Sequence, residues 1–141
     1  MISSTSKIYP GVVLGKNVII EDFCIIGSPP KGKKEGELET VIGDNAIIRS
    51  HTVIYAGNTI GENFQTGNKA NIRELNKIGN NVSIGTLSVI EHHVIIEDNV
   101  SIGANCTIVR GTLDHTKIGK NVKIANNVNI GHNVSLKSNC L

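Results

Sequence analysis

Broken into sixes from Ile8, the chain places an aliphatic residue at the head of nearly every unit, and this period constrains the fold more than any other feature. Units begin at Ile8, Leu14, Ile20 and Ile26, resume at Ile42 and run every sixth residue to Ile108, then resume again at Ile118, Ile124, Ile130 and Leu136. Thr66 is the one head that is not aliphatic. Glycine recurs at the second position, as at Gly43, Gly79, Gly103 and Gly131, where backbone must pass close to its neighbour. Asparagine recurs at the fourth, as at Asn17, Asn81, Asn121 and Asn133, and suits a corner that needs a left-handed conformation. The fifth position is small or branched, as in Val18, Ala46, Val82 and Val134, and is expected to point inward with the first. Each unit is a short strand plus a corner. Three units make a triangular coil of about eighteen residues, and stacked coils bury ladders of isoleucine and valine. The expected fold is all-β: a parallel β-helix of about six to seven coils forming one domain over residues 1–141, its core built almost without aromatics, which are 3% of the chain.

Charge and hydropathy exclude several function classes. A net charge of +2, with basic residues scattered apart from Lys31, Lys33 and Lys34, predicts no nucleic-acid partner. No stretch approaches the roughly 20 apolar residues of a membrane span, and the polar start has no signal-peptide core, so the expectation is a cytoplasmic protein with no membrane partner. Cys24, Cys106 and Cys140 all fall on the fifth position, where a free thiol acts as a small hydrophobe, and their odd number argues against a disulfide framework.

Function is sought where the period breaks. A polar insertion near 29–41 must leave the helix as an external loop, and its Lys33 and Lys34 could approach a ligand's phosphates. Around Thr66 a polar cluster gathers: Asn68, Lys69, Asn71, Arg73 and Glu74. Lysine and arginine suit the phosphates of a nucleotide, asparagine and glutamate suit sugar hydroxyls or an amine, and a solvated corner is the plain alternative. Histidines form the third group: His51 and His93 at position four, His92 and His132 at position three, and His115 in a short four-residue unit, Asp114 to Lys117. Each could serve as a base near neutral pH or simply decorate a corner. No metal is expected, because adjacent His92 and His93 should point in different directions.

The pattern of aliphatic, glycine, any, asparagine, small, any resembles the hexapeptide-repeat acyltransferases. That resemblance implies a left-handed helix and a homotrimer; an ordinary parallel crossover is right-handed, so chain chirality alone does not give the hand. Residues 25–31 with 41–49 resemble the opening of UDP-N-acetylglucosamine acyltransferases. Residues 51–93 resemble N-acyltransferases of nucleotide-linked amino sugars, several of which carry histidine where this chain has Asn68. Residues 110–134 resemble UDP-3-O-acylglucosamine N-acyltransferases, and the general base of that family corresponds to His132.

These resemblances imply acyl transfer from an acyl-coenzyme A donor such as acetyl-coenzyme A to the amine of a nucleotide-linked sugar. His132 is then the first candidate base and His92 the second. Asn68, Lys69, Asn71, Arg73 and Glu74 would hold the acceptor, Lys33 and Lys34 its phosphates, and Gly131 N–H would face the donor's oxyanion. Two alternatives stand beside this one: O-acylation or lipid A assembly with an acyl-carrier-protein donor, and a non-catalytic β-helix. The relatives continue well beyond Leu141 and the last coil shows no cap, which reads either as a C-terminally incomplete domain or as an end covered by another subunit.

Overall fold

The computed structural model describes residues 1–140 as a three-sided prism of short parallel strands. Face one stacks the strands Lys7–Ile8, Ile25–Ser28, Val53–Tyr55, Asn71–Ile72, Val89–Ile90, Thr107–Ile108 and Asn129–Ile130. Face two begins at Val12–Leu14 and ends at Ser135–Leu136, and face three runs from Ile19–Ile20 to Lys123–Ile124. The chain visits one, two and three in turn, so each strand pairs in parallel with the strand one coil later, as Asn71 with Val89 and Ile72 with Ile90. This is the parallel β-helix expected from the repeat, with the left hand that the family resemblance implied.

The repeat positions behave as their chemistry dictates. Head residues Ile26, Ile54, Ile72, Ile90 and Ile108 form one fully buried column, each side chain contributing about 1.5–3 kcal/mol by leaving water. Every non-glycine residue with positive φ occupies position four, from Asn17 (58°) to Asn139 (65°). The corner between faces two and three is asparagine throughout, and its side chains bond along the axis: Asn63 Nδ2–H donates to Asn81 Oδ1 at 2.8 Å, and Asn81 to Asn99 at 3.0 Å. The corner between faces three and one instead carries Phe23, His51, Lys69 and Leu87, then Asn105 and Asn127, all left-handed.

Thr66, the irregular head, is not a defect of the core. It is buried, its Oγ1 accepts the Arg49 N–H at 3.1 Å, and it lies 3.2 Å from Thr52 Oγ1. Three details differ from the sequence reading. Residues before Ile8 join the prism, with Ile2 bridging to Ile20 and the N-terminal ammonium donating to Val18 O at 2.8 Å. Cys24 and Cys106 are buried as expected, whereas Cys140 is exposed, because no described coil stacks beyond it. His92 and His93 do not point apart: the left-handed backbone at His93 (φ 56°) turns its ring back, and the two meet edge-on with centroids 4.9 Å apart.

Candidate functional site

Both interruptions of the repeat leave the prism at one corner. Residues 29–39 connect Ile25–Ser28 on face one to Thr40–Ile42 on face two, and residues 109–115 connect Thr107–Ile108 to Thr116–Ile118 between the same faces. Four strand spacings separate the two exits, which at about 4.8 Å each frames a trough roughly 19 Å long. The first loop lies along this edge, since Gly36 packs at Pro10 and Gly11, and Leu38 approaches Gly57.

Register aligns the trough's side chains. Second positions on this corner stack Tyr55, Arg73 and Glu91, and third positions stack Glu74, His92, Arg110 and His132. Neighbours pair in alternation. Arg73 Nε lies 3.0 Å from Glu74 Oε1, and its guanidinium sits 4.8 Å from the Tyr55 ring centroid. Glu91 Oε2 accepts the Arg110 N–H at 2.8 Å and lies 3.5 Å from its Nη1.

His92 occupies the middle of this row, partly buried, in a cavity of about 360 Å³ walled by His93 and the second loop from Gly111 to His115. Burial pushes the His92 imidazole below its ordinary pKa; Glu74 and Glu91 pull upward, while His93 and Arg110 push down. His92 Nδ1 lies 2.7 Å from His93 Nδ1. His93 faces His115 across 6.0 Å between ring centroids, and His115 Nδ1 is 3.4 Å from Asp114 Oδ1, whose carboxyl is held below its usual range by hydrogen bonds from His115. Among the described residues no group of three or more His, Cys, Asp and Glu could hold a metal ion.

His132 shares the column but not the cavity. It is exposed one coil beyond the second loop, and its Nδ1 lies 2.9 Å from Arg110 O. A carbonyl only accepts, so Nδ1 carries the proton and Nε2 is the free nitrogen of the neutral ring. Gly131, beside it, has open space where a Cβ would stand. Asn133 holds the second loop: its Oδ1 accepts N–H groups from Thr112 at 2.8 Å and from Leu113 and Asp114 at 3.3 Å.

The polar cluster around Thr66 is divided by the corner geometry. Arg73 and Glu74 belong to the trough, whereas Asn68 and Lys69 turn the preceding corner, where Asn68 Nδ2–H donates to Ser50 Oγ at 2.9 Å. Asn71 lies on face one between them, its Oδ1 buried without a hydrogen-bond partner. Lys33 and Lys34 are exposed on the first loop, with Lys33 Nζ 3.1 Å from Glu37 Oε2.

Two residues were missed by the sequence reading: Asn58 and Asn76, fully buried at the inward fifth position beneath the trough. Asn58 Nδ2 donates to Tyr55 O at 2.8 Å and Arg73 O at 2.6 Å; Asn76 Nδ2 donates to Arg73 O at 2.9 Å, and its Oδ1 accepts Val94 N–H at 2.8 Å. They fix the backbone that presents Arg73 and Glu74. An amide at a position otherwise mostly small or branched was the available signal.

A model of the bacterial transferase hexapeptide (six repeats) matches residues 77–110. The acyl-[acyl-carrier-protein]--UDP-N-acetylglucosamine O-acyltransferase of Campylobacter concisus is 35% identical over 71 residues, half of this chain and 26% of the relative. Its counterpart from Rickettsia canadensis is 42% identical over 62 residues, 44% of this chain and 20% of the relative. The chain thus aligns with about a quarter or less of these curated relatives. The Arabidopsis UDP-N-acetylglucosamine acyltransferase structure overlaps 94% of this chain and 49% of its own, at 18% identity and a TM-score of 0.46. The expected coenzyme A donor is corrected by these relatives, both of which are named for a donor carried on acyl-carrier protein. Repeat and prism agree that this chain is a hexapeptide-repeat β-helix, and over residues 77–110 it is similar to the bacterial transferase hexapeptide family.

Proposed function

We propose that the trough binds a UDP-linked N-acetylamino sugar and that the protein transfers an acyl group to its hydroxyl from a thioester of acyl-carrier protein. The carrying observation is that both loops leave the same corner and frame a row of paired charges with His92 at its centre. The activity for which the two curated relatives are named supports the acceptor and donor classes.

In this reading His92 is the base, because it lines the cavity and its burial favours the neutral ring near pH 7. Its Nε2 takes the hydroxyl proton as the oxygen attacks the thioester carbonyl; the carbon–sulfur bond then breaks and the carrier thiolate leaves with that proton. Arg73 holds a phosphate, with Lys33 and Lys34 on the first loop adding positive charge. Glu74 accepts from sugar hydroxyls. His132 and Gly131 lie outside the cavity and serve the donor side, whereas Asn68, Lys69 and Asn71 stand apart from the acceptor.

Turnover of UDP-N-acetylglucosamine with an acyl-carrier-protein thioester tests this. Wild type transfers the acyl group, and His92→Ala loses roughly 100-fold or more in kcat, the scale of a lost general base. Absence of transfer by the wild type, or full activity in His92→Ala, overturns it.

A further inference from the structure

We propose that His93 is a positioning residue for His92, its imidazole fixing the tautomer that leaves His92 Nε2 free to act as a base. The inference rests on the role given to His92 above. At 2.7 Å between the two Nδ1 atoms, one nitrogen must donate and the other accept. When His92 Nδ1–H donates, His93 Nδ1 is the acceptor, His93 carries its own proton on Nε2, and His92 keeps an unprotonated Nε2.

Local backbone makes this contact deliberate in geometry. His93 sits at the left-handed fourth position, and its φ of 56° brings the ring edge-on to His92. On the same corner the neighbouring coils place Leu75 and Gly111 at this position, neither of which could accept a proton.

The pair also carries the positive charge between the two half-steps. Once His92 Nε2 has taken the hydroxyl proton, the Nδ1 proton of His92 passes to His93 Nδ1, and it returns as Nε2 gives its proton to the leaving carrier thiolate; no proton is gained or lost by the pair over the cycle. The charged groups facing the pair are Glu74, Glu91 and Arg110 beside His92, Arg73 paired to Glu74, and His115 with Asp114 beyond His93.

The test combines ¹⁵N-imidazole NMR spectroscopy of the full chain with steady-state turnover. His93→Leu installs the residue that Leu75 presents at the same left-handed corner one coil earlier, so the fold is retained while the acceptor is lost. In the wild type the neutral His92 ring is expected to carry its proton on Nδ1. In His93→Leu that preference is lost and kcat falls by roughly 10-fold at little change in KM. His93→Asn restores an acceptor oxygen and recovers part of kcat. A neutral His92 protonated on Nε2 in the wild type, or a His93→Leu variant with unchanged kcat, overturns the proposal while leaving His92 as base. Full turnover in His92→Ala removes the base assignment, and the ¹⁵N shifts still decide whether His93 sets the tautomer.

Discussion

Asn133 Oδ1 accepts the Thr112 backbone N–H at 2.8 Å, so the residue next to His132 anchors the loop that walls the His92 cavity. The same oxygen takes the N–H groups of Leu113 and Asp114, and Asn133 Nδ2–H donates to Thr112 Oγ1 at 2.8 Å. Asn133→Ala is expected to free the loop with little effect on the prism. Hydrogen exchange checks it: the amides of Thr112, Leu113 and Asp114 lose protection, those of Ile90 and Ile108 do not, and KM for the acceptor rises.

Asn76→Ala should destabilise the whole protein. It leaves Val94 N–H buried without its partner and Arg73 O with Asn58 Nδ2 alone, a cost of about 1–3 kcal/mol. Urea denaturation reads the loss as a lower midpoint at unchanged slope. A branched replacement such as Asn76→Val fills the space and still fails to recover the stability.

Leu87 presents the opposite case, an exposed branched side chain held at φ 61°. A non-glycine residue in that conformation costs roughly 1–2 kcal/mol, and asparagine tolerates it better. Leu87→Asn, which continues the Asn105 and Asn127 ladder, should therefore raise stability by about 0.5–1 kcal/mol in the same denaturation assay.

The coil of three strands and corners was legible from the strict six-residue period, whereas its hand came only from the resemblance to the hexapeptide-repeat acyltransferases. Site residues were harder to group, since proximity along the chain is misleading in a prism. Lys69 and Arg73 are four residues apart and turn different corners, whereas Glu74, His92 and Arg110 are separated by full coils and share one. Eighteen-residue spacing exposes that column in the sequence, but the four-residue insertion at 111–114 shifts His132 out of step. The meeting of His92 with His93 depends on a positive φ that alternation along a strand does not anticipate.

Acid should weaken the fold partly through His92. Its folded pKa lies below the ordinary value of 6.5, so below that pH the unfolded chain binds the proton more readily and stability falls as pH drops toward the lowered value. Above 6.5 both states are neutral and this contribution is level. His92→Gln, neutral throughout, should flatten the slope of stability against pH below about 6.5, as read by thermal unfolding on the acid side of that value.

The central claim is that the corner framed by both loops is the acceptor site, and NMR shift mapping of the full chain with UDP-N-acetylglucosamine tests it most directly. The account predicts perturbations at Tyr55, Arg73, Glu74, His92 and the 111–115 loop, with the Asn68 and Lys69 corner and the asparagine ladder of Asn63 and Asn81 unmoved. Perturbations centred on Asn68 and Lys69, with His92 silent, would contradict it.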